Sequence, residues 1–583
     1  MDRTKNEFVK SGIELLNIGQ SELLIELCCE YLKKACDEQV HVLLANAYLL
    51  SGDVNKAEQT ARSAMAIYPS SAELLLVLGD ILRTKGQLSN AARLYIRAGQ
   101  MGIDEISAIC KEELGIILQQ LGRTEVELTS PKQAKRVLVI APIFPPTGGS
   151  GVWRSLKLVK YLRFYGLEPI VLTFPAHDKA KYTSPFFDEL PVDLEIIRAA
   201  IPKNNDKDLT TTHAKLYKQM LPPTTYKAYN ELLTKAKDAA VKQSIFLYPD
   251  SNITWAISTA QNIETCIDMS DIEAIYTTSG PYSCHFAGYL LKTRYPRLPW
   301  VADFRDEWSN NPFIWQGIDK KNYFGYKLCV DFEKAILRKA DAVICVVESA
   351  LDSYYMLGAE KPKMFCITNG YDEEDFESIG HEEAGSDKFT IVHNGLLYGD
   401  RSPVTMLNAI ANLVNQGKIE SSKIKFHMGS FEGYPDYERL TLNDVARLNL
   451  EDIAVVSPYM AHLDSIVHAN QADMLLLILG PAKAYGHTYT GKLFEYLRLG
   501  KPILCLGPDG GAVDKLLRKT GNGVNIEFND IPQIECHLLD AYKAWEKGEK
   551  KEFKSDVTMY ERKHLTGKHA QIFNTLIQKN TDL

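Results

Sequence analysis

The chain has 583 residues, enough for three or four domains, and its 45% hydrophobic and 24% charged residues describe a soluble globular protein with large cores. A formal charge of −8 speaks against bulk nucleic-acid binding, and eleven cysteines without a C-x-x-C pair argue against a disulfide framework or a cysteine zinc site. The opening MDRTKNEFVKSG has no apolar signal core, and runs such as MLLLIL (474–479) are far too short to span a bilayer. The expected location is cytoplasmic, with peripheral contact at the inner membrane face left open.

Glycines recur at Gly19, Gly52, Gly86 and Gly122, at intervals of 33, 34 and 36 residues. Around the middle pair the strings GDVNKAEQTARSAMAIYP and GQLSNAARLYIRAGQMG align, so that Ala57 matches Ala91 and Ala45 matches Gly79. Small residues at such positions let paired helices pack closely. The period resembles tetratricopeptide repeats and implies an all-α repeat domain over 1–128, able to dock a protein partner or a second copy of the chain. TEVELTSPKQAK (124–135) is polar, contains a proline and reads as a linker.

Beyond it the pattern changes to short apolar runs alternating with helical segments. VLVIAP (137–142), PIVLTF (169–174), AIYTTS (274–279), PWVADF (299–304), AVICVV (342–347) and MFCIT (364–368) read as buried strands of a parallel sheet. Between them, residues 201–245 hold eight lysines against four acids. That excess fits either a solvated insertion or a basic surface for anionic lipid or a lipid-diphosphate acceptor. The D-x-D at 206–208 reads as solvated charge in a polar loop, not a metal site. The acidic, turn-rich 369–388 separates a second series: FTIVHNG (389–395), KIKFHMG (423–429), IAVVSP (453–458), MLLLIL (474–479) and PILCLG (502–507). The predicted domains are 1–128, 135–378, 387–555 and a C-terminal amphipathic helix within 556–583.

Three places carry candidate chemistry. In APIFPPTGGSGVWRSLKLVKYL a strand, a turn with Gly148, Gly149 and Gly151, and a helix with Arg154 follow one another. Such a turn either cradles an anion at the helix start or is a tight connection and no more. WVADFRDEW (300–308) places Asp303, Arg305 and Asp306 at the carboxyl end of a strand, where open α/β sheets bind ligands, or where an Asp–Arg pair serves the structure. In YTGKLFEYLRLGKPILCLG (489–507), Leu493, Phe494 and Leu497 form one buried stripe, Gly500 and Pro502 end the helix, and 503–506 is a strand. Thr490, Gly491 and Lys492 then start a helix at a strand's carboxyl end, with Glu495 one turn in. A phosphate at that start and a ribose diol on Glu495 would together describe a nucleotide diphosphate. The alternative is that Glu495 pairs with Lys492 or Arg498 at helical spacing.

Residues 136 to about 578 resemble the GT-B glycosyltransferases, close to glycosyltransferase family 4. The resemblance rests on PPTGGSGVWRSLKLVKYL, YPDSNITWA, YTTSGPYSCHFAGYLL, VADFRDEW, ITNGYDEEDF, HNGLLYGDRSP and YTGKLFEYLRLGKPIL in that order. It implies an α/β fold of two doubly wound Rossmann-like domains after the helical repeat, the second holding a nucleotide-sugar donor and the first facing a carbohydrate or lipid-linked acceptor. It also implies that the final helix crosses back to the first of these domains. By resemblance Glu495 is the second glutamate of an E-x7-E pattern and binds the ribose, while His487 stands where the first glutamate would be. Gly395 is the turn that opens the second domain, and Arg401 and Lys492 are cations for the donor phosphates. Asp303 and Asp306 stand where relatives place a histidine near the transferred sugar, and either is a candidate to stabilise the reacting sugar.

The resulting expectation is a retaining hexosyltransferase of polysaccharide or glycoconjugate assembly, with no metal and no cofactor. Its catalytic set is Asp303, Asp306, Arg401 and Lys492. Its donor set is Gly148, Gly149, Gly151, Arg154, Gly395, Thr490, Gly491 and Glu495. An inactive scaffold built on the same folds, or a nucleotide-sugar epimerase, are the alternatives.

Overall fold

The computed structural model describes residues 2–68, 71–86, 88–99, 101, 103–120, 134–147, 149, 151–175, 189–191, 194–200, 206–238, 245, 247–311, 313–315, 317–376, 387–549, 553 and 555–581. Most of the 124–135 linker, residues 377–386 of the acidic stretch, and Gly148 lie outside these. The chain divides into two compact units. One holds Met1–Asp303, Lys339–Asp341 and Ala570–Leu583, the other Phe304–Arg338 and Ala342–His569.

The first unit begins with seven helices: Asp2–Asn17, Ser21–Leu32, Glu38–Leu50, Val54–Ile67, Ala72–Thr84, Leu88–Gly99 and Asp104–Gln120. The periodic glycines mark equivalent turns, with φ of +77° at Gly19, +83° at Gly52 and +75° at Gly86. Each reverses the chain in a left-handed conformation that side chains with a Cβ rarely adopt. Asp37, Asp53 and Ser71 cap the helices that follow them through side-chain oxygens. Ala45, Ala57, Ala61 and Ala91 are fully buried where helices meet, around Leu75, Leu78 and Tyr95.

The sheet of this unit contains β1 (Lys135–Ile140), β2 (Leu167–Thr173), β3 (Glu195–Arg198), β4 (Ile272–Thr278) and β5 (Trp300–Phe304), all parallel, in the order β3-β2-β1-β4-β5. The apolar runs become strands buried on both faces, covered by helices that include Val152–Leu162 and Cys284–Arg294. Residues 206–220, read as polar loop at their start, form one helix, because His213, Leu216, Tyr217 and Met220 recur on a single buried face. A second helix, Pro223–Lys235, follows, and Lys215, Lys218, Lys227, Lys235 and Lys237 stay exposed. The end of the C-terminal helix (Arg562–Thr581) also belongs here. Phe573 is buried against Tyr276, and Asn574 Oδ1 accepts from Lys135 Nζ at 2.9 Å.

In the second unit β6 (Ala342–Cys345) pairs in parallel with β7 (Met364–Cys366). A six-stranded parallel sheet follows: β8 (Phe389–Val392), β9 (Ile424–Met428), β10 (Ala454–Val456), β11 (Met474–Ile478), β12 (Ile503–Leu506) and β13 (Gly523–Ile526), in the order β10-β9-β8-β11-β12-β13. Its direction of winding reverses between β8 and β11, and a crevice for ligands opens at the carboxyl ends of strands at such a reversal. Two doubly wound parallel sheets therefore follow a helical region, the organisation of a GT-B fold.

A Cβ added at Gly79 would stand 2.5 Å from Cε1 of Tyr95, which is buried and donates to Asp80 Oδ1 at 2.6 Å. Gly79→Ala should therefore destabilise the repeat by about 1–2 kcal/mol despite alanine's higher helix propensity. Guanidinium denaturation followed by helical circular dichroism is the check.

Candidate functional site

The loops leaving β8 and β11 meet at the reversal point of the second sheet. His393, Asn394 and Gly395 follow β8 directly. His393 is buried, its Nδ1 lies 2.9 Å from the Leu476 carbonyl, and desolvation, then the Lys492 charge, hold its pKa well below the ordinary histidine value. It is a neutral imidazole. The Asn394 amide donates to Tyr496 Oη at 3.0 Å, and Asn394 Oδ1 lies 3.0 Å from His468 Nδ1. Gly395 has φ of +131°, and a Cβ there would sit 2.0 Å from Lys492 Nζ. That φ is one side chains with a Cβ rarely adopt, and the missing Cβ lets the Lys492 ammonium, the movable end of a flexible side chain, lie against the backbone.

The helix Gly491–Leu499 starts at Thr490. Thr490 forms no side-chain cap, and its Oγ1 is buried with no hydrogen-bond partner among the described residues. Lys492 follows, with no carboxylate partner among the described residues. Desolvation first, then repulsion by Arg401, depress its pKa to about 8, opposed by Glu495. Arg401 also has no carboxylate partner among the described residues. Its guanidinium lies over the Tyr398 ring at 5.2 Å and the Phe313 ring at 5.9 Å, and Nη1 donates to Tyr398 Oη at 3.2 Å.

Glu495 is partly exposed, with His462 Nε2 at 3.8 Å from Oε1, and that histidine also approaches Asp375 Oδ2 at 3.2 Å. The alternative pairings of Glu495 along its helix do not form. Arg498 gives its Nε to Glu373 Oε2 at 2.7 Å, and no ion pair joins Glu495 to Lys492 among the described residues. Gly395 and Arg401 thus belong to the same end of the same sheet as Thr490, Gly491, Lys492 and Glu495. Two cations, a free helix start and a carboxylate one turn in can take a diphosphate and an adjoining diol.

Within the same unit a small cleft is lined by Arg305, Asp306, Asn311, Phe313, Asn369 and His487, among others. Arg305 Nε donates to Asp306 Oδ2 at 3.2 Å, and His487 Nδ1 lies 3.2 Å from Ser349 Oγ. The loop that carries Asp306 is anchored from beneath by Glu333. This carboxylate is fully buried, accepts from the Ser309 amide at 3.1 Å, and is pushed up to about 7 by desolvation. Sequence reasoning missed Glu333, His393 and Phe313. The histidine stands beside Gly395 in HNG, whereas nothing local distinguishes the glutamate from a solvated helix charge.

The candidates of the first unit behave differently. Arg154 and Asp303 are 4% and 0% exposed and form a two-pronged pair, Nε to Oδ2 at 2.7 Å and Nη2 to Oδ1 at 3.0 Å. Tyr276 Oη donates to the same carboxylate. Of the two readings open for Asp303, this geometry is that of a structural Asp–Arg pair, and it occupies the cation placed by sequence at the helix start. Gly149 has φ of +106° and Gly151 precedes the helix Val152–Leu162, as a strand-to-helix turn requires.

Known proteins were compared with this chain. No family model and no curated protein sequence matches it. Solved structures do. The N-terminal domain of trehalose-6-phosphate phosphatase from Candida albicans aligns at 12% identity over 78% of this chain and 98% of that one, with a TM-score of 0.50. HepE from Anabaena in complex with UDP-glucose aligns at 12% identity over 77% and 98%, TM-score 0.43. An O-GlcNAc transferase mutant from Thermobaculum terrenum aligns at 12% identity over 98% and 99%, TM-score 0.39. The first shows a shared fold and nothing beyond it, and the other two are too loose to carry an argument.

Removing one partner of a buried ion pair strands the other charge, at about 3–5 kcal/mol, whereas replacing both by apolar groups does not. Asp303→Asn should accordingly lower the denaturation midpoint strongly, and Arg154→Met with Asp303→Leu should recover most of the loss. A reacting carboxylate would give the reverse pattern, with near-normal stability and lost turnover.

Proposed function

We propose that the chain transfers a sugar from a nucleotide-sugar donor, and that the second sheet holds the donor. The observation that carries this reading is the pair Lys492 and Arg401. They converge beside Gly395 and the start of the helix Gly491–Leu499 without a carboxylate partner among the described residues, and Thr490 Oγ1 is orphaned there. Uncompensated positive charge in a partly desolvated crevice is what a diphosphate neutralises. Glu495 then lies where the ribose diol accompanies that diphosphate.

In the transfer itself, negative charge grows on the leaving diphosphate as the sugar–oxygen bond breaks. Lys492, Arg401 and the helix start stabilise that charge by fixed position, so this reading routes no step through a divalent ion. His393, held neutral, adds no third charge. Positive character develops on the sugar, and of the two acids at the end of β5 the reading assigns its stabilisation to Asp306, which lines the cleft, rather than to Asp303. His487 occupies the cleft where a sugar hydroxyl would be read. Retention of configuration, a family 4-like hexosyl donor, a role in polysaccharide or glycoconjugate assembly, and a tetratricopeptide-like repeat that docks a protein or a second copy complete the proposal. Its acceptor is a carbohydrate or a lipid-linked one. No described helix is long and apolar enough to cross a membrane, and the exposed lysines of the helices 206–220 and 223–235 supply charge for a peripheral contact.

A thermal-shift panel of UDP-, GDP-, ADP- and dTDP-sugars tests the reading. One donor class should raise the melting temperature, by mass action on the folded state, and both Glu495→Ala and Arg401→Ala should abolish most of that rise. Sugar transfer or hydrolysis of the same donor separates an enzyme from a scaffold.

Lys492 adds a pH signature. In the free protein it is charged below about pH 8 and neutral above it, and a bound diphosphate restores its ordinary, higher value. Binding therefore takes up a proton between the two values. Affinity for the donor should fall about tenfold or more from pH 7 to 9.5, and Lys492→Arg, whose guanidinium stays charged, should flatten the profile.

A further inference from the structure

Arg401 is held in an unusual manner for a cation in a binding crevice. Its rigidity comes from rings rather than from a carboxylate: Tyr398 at 5.2 Å, itself stacked on Tyr434 at 4.8 Å and 14°, and Phe313 at 5.9 Å. Phe313 comes from the loop beyond β5, far away in sequence. Asn311 Oδ1 accepts from the amides of Phe313 and Ile314, at 2.9 and 3.3 Å, and so fixes the turn that presents the ring. The ring is 45% exposed, so core packing does not explain a phenylalanine there. It also meets Tyr485 at 5.2 Å, and Tyr485 Oη lies 3.4 Å from Asp400 Oδ2, next to Arg401 in the chain.

From this we propose that Phe313 is a positioning residue for the diphosphate: it holds the Arg401 guanidinium by its face and so keeps the N–H edges aimed at the anion. The inference rests on Arg401 being a phosphate ligand, as argued above. A carboxylate could fix an arginine equally well, but it would cancel the charge and occupy the same N–H groups. An aromatic face attracts the cation through the ring quadrupole and leaves the N–H edge unused. Phe313 also lines the cleft that contains Asp306 and His487, so the group that orients the phosphate ligand borders the place assigned to the sugar.

The test uses the full chain and inorganic pyrophosphate, which probes the phosphate site whatever the donor base, with affinity read by calorimetry. Phe313→Ala should weaken binding about three- to tenfold, the range for one partly desolvated cation–ring contact. Phe313→Trp should restore it, and Phe313→Leu, which keeps apolar bulk without a π face, should not. Arg401→Ala should weaken binding more, and adding Phe313→Ala to it should cost nothing further. Wild-type affinity in Phe313→Ala, rescue by leucine, or a loss in the double variant equal to the sum of the single ones would each overturn the proposal. Unchanged affinity in Arg401→Ala would instead remove the phosphate site itself, and with it the reading on which the proposal rests. Each variant is first checked for an unchanged melting temperature without ligand.

Discussion

Two positive groups that share a crevice without a carboxylate partner in an ion pair among the described residues set the terms for the second half of this molecule. Bringing Lys492 and Arg401 together costs desolvation and mutual repulsion, and the depressed pKa of Lys492 records both. Several neighbouring features follow. Gly395, at φ of +131°, brings no Cβ into the volume beside the ammonium. His393 is held well below the ordinary histidine pKa by burial first and by the Lys492 charge second, so it adds no third cation. The arginine is held by rings, which stabilise it without neutralising it. These features agree in leaving the site electrically incomplete.

The sheet makes such a site possible. Because β8 and β11 are neighbours whose connections leave in opposite directions, their carboxyl-end loops diverge and a crevice opens between them. The helix Gly491–Leu499 that comes after β11 then begins there, with no side-chain cap from Thr490. Its buried stripe, Leu493, Phe494 and Leu497, packs beneath, with Gly500 in the left-handed conformation at its end, so the positions of Lys492 and Glu495 are fixed by core packing on the opposite face. Chemistry and fold are coupled through a helix of nine residues.

Much of this could be read from residue order. Short apolar runs alternating with helical segments located eleven of the thirteen strands among the described residues, because a strand buried on both faces has little choice of composition. The two that escaped, EIIR and GVNI, are β3 and β13, each at one edge of its sheet and each too short and too polar to read as an apolar run. Within the candidate site, Thr490 to Glu495 stand out in the sequence because helix start, cation and carboxylate lie within one turn. Phe313 and Glu333 were not, since each acts on residues remote in sequence. The helix at 206–220 was hidden by its polar first turn, although its buried positions recur with helical spacing.

The two arginines show how alike charges are put to different ends. Arg154 and Asp303 saturate one another: both are buried, two hydrogen bonds join them, and Tyr276 adds a third to the carboxylate. Every charge in that group is answered within the protein, so it stabilises a particular arrangement of the helix Val152–Leu162 on the strand β5 and has little left to offer a ligand. Arg401 is answered by two aromatic faces and one hydroxyl, which restrain its plane and leave most of its hydrogen-bonding capacity unused. The distinction does not depend on residue type, since arginine and aspartate occur near strand ends in both units. It depends on whether the protein supplies the counter-charge, and a site that withholds it specifies an anionic visitor more firmly than any single motif does.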